Sequence, residues 1–209
     1  MALLRFFHGT MGSGKSTLAL QIHHNLARRG LNGLLLTQLD RSGGVVTSRL
    51  GVEADAVQVS PGLDLEKVAI DRGATYVVCD EAQFYEAEQV DQLARLVDLH
   101  DVEVWAFGLL TSFRGELFPG TARMLEVADE RQELQVEARC WCGARATHNA
   151  RLVNGVMVLE GNLIAVGDTA VSEDAQERLD LSTPEVTYEL LCRRHWNARE
   201  VAPPAGTDG

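Results

Sequence analysis

Eight residues near the start constrain this chain more than any others. Gly9-Thr10-Met11-Gly12-Ser13-Gly14-Lys15-Ser16 fits a phosphate-binding pattern: Gly, four residues, then Gly-Lys-Ser/Thr. The pattern carries weight only between a strand and a helix, and both are predicted here. Leu3–His8 is short and apolar and reads as a strand. Lys15–Arg29 has helical periodicity, with Leu18, Ile22 and Leu26 on one face and Gly30 as the stop. Small residues let successive backbone N–H groups curve round a phosphate, and the helix N-terminus adds a favourable dipole. In that arrangement Lys15 contacts the β- and γ-phosphates of ATP and Ser16 binds Mg²⁺.

The second constraint is Tyr76-Val77-Val78-Cys79-Asp80-Glu81-Ala82-Gln83-Phe84. A hydrophobic strand ending in an acid is the usual partner of such a loop, and Asp80 is expected to hold the Mg²⁺. Glu81 falls one residue later, at the carboxyl end of the strand, where open α/β sheets bind ligands. A carboxylate there accepts a proton from an attacking hydroxyl or water.

Between and after these motifs, strands alternate with helices. Leu34–Thr37, Ala56–Val59 and Glu103–Leu109 read as further strands, and Arg41–Thr47 as polar, Gly-rich loop. Asp64 can cap a short helix that ends at Gly73, and Ala87–Leu99 has Val90, Leu93, Ala94 and Val97 at helical spacing. Alternation of this kind predicts an α/β fold with a mainly parallel sheet. The pattern ends near residue 139. Beyond it come short β-prone pieces, a stretch over Val166–Val186 without periodicity, and the polar tail Pro203–Gly209.

That second part carries Cys140-Trp141-Cys142 and Cys192-Arg193-Arg194-His195. Three thiolates and an imidazole make a closed tetrahedral zinc set, with no open position for chemistry, so a metal there is expected to be structural. The spacing within the first pair is one residue tighter than usual. The fourth cysteine, Cys79, lies inside the predicted core strand.

The chain has 209 residues, enough for a sizeable core, with 45% hydrophobic and 23% charged residues. Its 30 acidic and 19 basic residues give a net charge of −11, the wrong sign for a general phosphate-backbone binder or an anionic membrane surface. No apolar run approaches the roughly 20 residues of a membrane helix, and Met1–Phe7 lacks a signal-peptide pattern. A cytoplasmic protein is expected, with its cysteines as thiols or metal ligands.

Taken in order, these pieces resemble the type II, cellular-type, thymidine kinase family. The resemblance runs from about Leu3 to Trp196. It rests on Gly9–Ser16 and Asp80-Glu81-Ala82-Gln83-Phe84. Gly108-Leu109, Phe113-Arg114-Gly115, Phe118 and Ala128-Asp129 extend it, followed by Cys142-Gly143, Arg151-Leu152 and Tyr188. It implies a RecA-like P-loop NTPase domain over 1–139, a small zinc-bearing lasso domain over 140–196 and a disordered tail over 197–209. It implies transfer of the ATP γ-phosphate to the 5′-hydroxyl of thymidine, and of deoxyuridine. Glu81 resembles the general base, and Asp80 with Ser16 the Mg²⁺ site. Gly9 through Ser16, Asp80 and Gln83 resemble the ATP-binding residues. Met11, Phe84, Phe113, Phe118 and Tyr188 resemble the thymine pocket, with the backbone near Val166 bonding the base. Cys140, Cys142, Cys192 and His195 resemble the zinc ligands, and a homotetramer is implied.

Some positions depart from the family pattern. Asp40-Arg41-Ser42-Gly43 stands where Asp-x-Arg is common, Ser112 where Asp or Thr is, and Asn149 where Thr or Ser is; Ser172–Thr183 reads as an insertion. Two alternatives remain on sequence grounds: a P-loop ATPase switch with a zinc interaction module, and a kinase of another nucleoside.

Overall fold

Leu4–His8 forms β1, and its Leu4 and Phe6 side chains are buried. The computed structural model describes residues 1–38, 45–47, 53–134, 137–163 and 184–202. After β1 come α1 (Lys15–Ala27), β2 (Gly33–Thr37), β3 (Val45–Thr47), β4 (Glu53–Asp55), β5 (Val57–Gln58) and α2 (Leu65–Asp71). Then follow β6 (Tyr76–Asp80), a 3-10 turn (Ala82–Phe84), α3 (Ala87–His100), β7 (Glu103–Gly108), α4 (Pro119–Val127) and β8 (Glu130–Glu133). The chain separates into two compact units. The first is Met1–Leu110 with Leu117–Val136, and the second is Thr111–Glu116 with Glu137–Gly209.

In the first unit six strands lie in the order β5-β2-β6-β7-β1-β8, and every neighbouring pair is parallel. The central strands are apolar at successive positions because both faces are covered. On one face Leu35, Tyr76, Val78 and Phe107 pack with Ala19 and Leu20 of α1. On the other, Leu36, Val77, Cys79 and Val104 pack with Leu65 of α2, Leu93 of α3 and Met124 of α4. Alternate residues of one strand therefore feed two separate cores. The predicted Asp64 cap is present: its side chain accepts the Lys67 backbone N–H at 2.9 Å.

Three local expectations need correction. Arg41–Thr47, read as loop, contains a strand: Val45–Thr47 pairs antiparallel with Glu53–Asp55. Three residues are too few for alternation to show, and the pairing that makes the strand is invisible in the run itself. The fifth strand is shorter than Ala56–Val59, although the Val59 N–H still bonds the Thr37 carbonyl at 2.7 Å. The elements α4 and β8 were not expected. All four β8 residues are exposed, since among the described residues it pairs with β1 alone, at the sheet's edge.

The second unit holds β9 (His148–Val153), β10 (Val156–Val158), β11 (Val186–Leu191) and α5 (Arg193–Ala198). The three strands form an antiparallel sheet ordered β10-β9-β11. Asn154 and Gly155, at φ 51° and 78°, make the two-residue turn between β9 and β10. Cys140, Ala150, Leu152, Met157 and Leu191 form its core. Asn197 and Ala198, placed by sequence in the tail, close α5. Val166, Ser172–Thr183, Pro203–Gly209 and Asp40–Gly43 lie outside the described residues. Among the described residues no helix is long and apolar enough to cross a membrane.

Because β1, β6 and β7 are parallel, their carboxyl ends share one edge of the sheet. Gly9–Ser16, Asp80–Phe84 and Gly108–Leu109 all leave from that edge.

Candidate active site

The loop after β1 delivers its residues straight into α1. Gly14 takes a left-handed conformation, φ 79°, and Lys15 is the first helical residue. Ser13 is buried and its N–H bonds the Thr10 carbonyl at 3.2 Å, closing the loop. The Lys15 ammonium, also buried, folds back over the loop. It donates to the Thr10 carbonyl at 2.8 Å, the Gly9 carbonyl at 3.3 Å and Ser13 Oγ at 3.4 Å. Its charge is thus held over the cradle that the sequence assigns to phosphate.

Asp80 ends β6 with only 3% of its surface exposed. Burial and the neighbouring Glu81 carboxylate push its carboxyl up to about 7, against the opposing pull of the Ser16 hydroxyl that donates to it and of Lys15. Among the described residues its Oδ1 has no hydrogen-bond partner. A buried carboxylate with an orphaned oxygen, bonded to a hydroxyl and lying near a lysine, has the hard oxygen donors that Mg²⁺ requires. The residues present fit that ion.

Glu81 leaves the strand in a left-handed conformation, φ 54°. For a residue with a β-carbon this backbone is disfavoured and marks a position held by its surroundings. Its carboxylate accepts from the Gln83 side-chain amide. Gln83 is fully buried, and its Oε1 accepts the Leu109 N–H at 3.0 Å.

The residues assigned to thymine divide between the units. In the first, Phe84 and Phe118 meet edge-to-face with ring centres 5.3 Å apart, and Met11 lies half-buried in the loop. In the second, Phe113 is buried, with the Arg114 and Arg151 guanidiniums 5.7 and 5.2 Å from its ring centre. Tyr188 is half-buried on β11, opposite Arg151 of β9.

Cys140, Cys142, Cys192 and His195 converge, their ligand atoms all within 4.8 Å of one another. His195 Nδ1 is 3.3 Å from Cys140 Sγ and 3.5 Å from Cys192 Sγ, and the Cys142 and Cys192 sulfurs are 4.0 Å apart. A tetrahedral ion with Zn–S of about 2.3 Å sets sulfur–sulfur separations near about 3.8 Å, so this cluster has zinc dimensions. The tight Cys140–Cys142 spacing works because the chain turns there: Cys140 N–H bonds the Ala144 carbonyl at 2.9 Å, and Gly143 N–H the Cys140 carbonyl at 2.8 Å. Burial raises the Cys140 thiol, but bonds from the Cys142 and Cys192 backbones and from His195 outweigh it and bring it down to about 6. A thiol that ionises this readily is prepared for a metal. Sequence reasoning missed two neighbours of His195. Trp141 stacks on His195 at 4.1 Å, and Glu200 lies 3.7 Å from His195 Nε2. At that distance the exposed carboxylate makes no hydrogen bond to the imidazole.

A strand, glycine-rich loop and lysine-headed helix, with a buried acid on a neighbouring parallel strand, define a P-loop nucleotide-binding protein of the α/β class. Residues 2–196 match the family described as Thymidine kinase. The chain belongs to the thymidine kinase family. It is similar to the thymidine kinase of Streptomyces coelicolor, 53% identical over 211 residues that cover 98% of this chain and 93% of the relative. It is 46% identical to that of Cutibacterium acnes over 201 residues, 93% of this chain and 88% of the relative. It is 37% identical to that of Enterobacteria phage T4 over 205 residues, 94% and 96% of the two chains. Among solved structures, Bacteroides Pif1 bound to ssDNA is similar with a TM-score of 0.37 and 16% identity, over 63% of this chain and 38% of that one.

Proposed function

We propose that this protein transfers the γ-phosphoryl group of ATP to the 5′-hydroxyl of thymidine, and of deoxyuridine, giving dTMP and ADP. The observation that carries the reading is the pair at the end of β6. Asp80 is buried against Ser16 of the phosphate loop, and Glu81 is turned out of the strand one residue later. Backbone N–H groups from Gly9 to Ser16 cradle the phosphates, and Lys15 leaves its loop carbonyls to meet the β- and γ-oxygens. Asp80 and Ser16 would hold Mg²⁺, which neutralises charge on the phosphates when bound. Glu81 accepts the proton of the attacking hydroxyl as the new P–O bond forms and the bond to ADP breaks. Met11, Phe84, Phe113, Phe118 and Tyr188 offer thymine apolar and aromatic faces, which suit its 5-methyl group; Val166 completes the assigned set.

Cys140, Cys142, Cys192 and His195 would bind one structural zinc, supported by their convergence. A cytoplasmic homotetramer fits the family resemblance, and light scattering reads the assembly directly.

The test is an ATP-consumption screen across the natural nucleosides with products identified by mass. Thymidine-dependent ADP release with dTMP as product is expected. ATP hydrolysis without any nucleoside would instead make the protein an ATPase, and faster turnover of another nucleoside would reassign the substrate.

A further inference from the structure

Gln83 is 0% exposed, and both ends of its amide are engaged. Nε2 donates to the Glu81 carboxylate, and Oε1 accepts the Leu109 backbone N–H at 3.0 Å. The Leu109 bond fixes which way the amide points, because only the oxygen can accept from a backbone N–H. Its NH₂ group is then committed to Glu81. Leu109 is itself anchored: its carbonyl accepts from Thr121 Oγ1 of α4 at 2.7 Å, and Thr121 is fully buried. The end of β7 is kept bare for this arrangement. A β-carbon on Gly108 would lie 2.9 Å from Gln83 Oε1 and 3.0 Å from the Gln83 nitrogen. β7 also runs between β1 and β6, so the chain of bonds ties Glu81 to the strand beside the one that carries the phosphate loop.

Glu81 needs such a tie. It stands just past the last ladder residue of β6 in a left-handed conformation, where neither strand nor helix fixes its side chain. A carboxylate free to change rotamer meets the hydroxyl in the right geometry only part of the time, and a misplacement of about 1 Å can cost about 10²-fold in rate.

We infer that Gln83 is a positioning residue for the phosphoryl transfer: anchored on Leu109, it holds the Glu81 carboxylate where it receives the hydroxyl proton. This rests on the reading of Glu81 as the base. The family resemblance groups Gln83 with the ATP-binding residues, and the two roles separate in kinetics. A nucleotide contact changes KM for ATP; a residue acting through Glu81 changes kcat and has nothing left to act on once Glu81 is disabled.

The experiment is a double-mutant cycle of Gln83→Met with Glu81→Gln, measured with saturating thymidine and varied ATP. The Met side chain has similar length without donor or acceptor. Gln83→Glu serves as a second variant: it keeps an oxygen acceptor for Leu109 and sets a second carboxyl group against Glu81 in place of the amide donor. Either variant is expected to lower kcat about 10–100-fold with KM for ATP within about twofold. In the Glu81→Gln background the same change is expected to cost less than about twofold. Full multiplication of the two losses, an unchanged kcat, or a rise in KM for ATP larger than the fall in kcat would overturn the proposal. If Glu81→Gln alone leaves kcat intact, the base assignment itself fails, and that arm shows it separately.

Discussion

Asp80 and Glu81 are adjacent carboxylates with different surroundings, and each supports its own prediction. Glu81→Gln keeps the side chain's shape and removes the proton acceptor. Loss of a general base typically costs about 10²–10⁴-fold in rate, and that fall in kcat is expected with ATP affinity nearly intact. Steady-state kinetics decide it: a variant retaining more than about a tenth of kcat shows that Glu81 is not the base. Asp80 carries a cost that the ion would relieve. Its carboxyl titrates near 3.9 in an unfolded chain and at about 7 in the folded one, raised by burial and by Glu81. Between those values the folded state retains a proton that the unfolded state has lost, so stability falls as pH rises through this window. Below about pH 4 the penalty is absent, and above about pH 7 it is complete. In chelator at about pH 8, Asp80→Asn is therefore expected to melt a few degrees above the parent protein, with the gap closing toward pH 4. Added Mg²⁺ should raise the parent's melting temperature and leave the variant's unchanged. A variant less stable than its parent at pH 8 without metal would show that the Asp80 carboxylate is not a liability in the fold.

At the scale of elements, the second unit shows how a short sheet is organised around one ring. Arg151 of β9 is almost buried, stands 5.2 Å from the Phe113 ring centre and donates to the Asn162 carbonyl at 3.0 Å. Arg114 flanks the same ring and donates to the Gly161 carbonyl. Two guanidiniums on one aromatic thus fix the chain just after β10. Arg151→Met is expected to cost about 1–3 kcal/mol, from a charged hydrogen bond and a cation–π contact together. Arg151→Lys should recover little of it, because an ammonium cannot reproduce the planar contact. Thermal melts and limited proteolysis near Asn162 measure this, and an unchanged melting temperature with unchanged cleavage would show that the contact holds nothing. None of this bonding is visible in the sequence, since Phe113, Arg151 and Asn162 meet only through folding. The same limit explains what was legible elsewhere. Tyr76–Cys79 and Leu34–Thr37 declare themselves as strands because both faces are buried. Glu130–Glu133 does not, because an edge strand with every side chain exposed carries no apolar pattern. Gly9–Ser16 and Asp80–Glu81 are local in sequence and read directly. The amide bridge from Glu81 through Gln83 to Leu109 is not, because it spans two strands.

For the whole molecule, the question is what holds the second unit together. Its sheet has three strands and a small core of five buried apolar residues, Cys140 among them, which is a modest basis for independent stability. The four candidate ligands come from its two ends, with Cys142 and Cys192 separated by 50 positions. A metal ion joining them closes that segment once. Closure entropy grows only with the logarithm of length, so one clip restrains a long stretch of chain. Metal binding and folding of this unit should then be a single equilibrium, and the metal should take no part in phosphoryl transfer. One Zn²⁺ per chain is expected on elemental analysis of protein purified without chelator. Cys192→Ser should lose the metal, lower the melting temperature of the second unit and raise KM for thymidine more than KM for ATP. Glu200→Gln, which leaves all four ligands in place, should change zinc affinity by less than about tenfold, because the exposed carboxylate lies 3.7 Å from His195 Nε2, too far for a hydrogen bond. Zinc competition with a chromophoric chelator reads that shift without reference to turnover. A preparation free of zinc yet fully active and fully folded would remove the metal from this account. The four side chains would then be a hydrogen-bonded cluster, with Cys140, already inclined to ionise, as its acceptor.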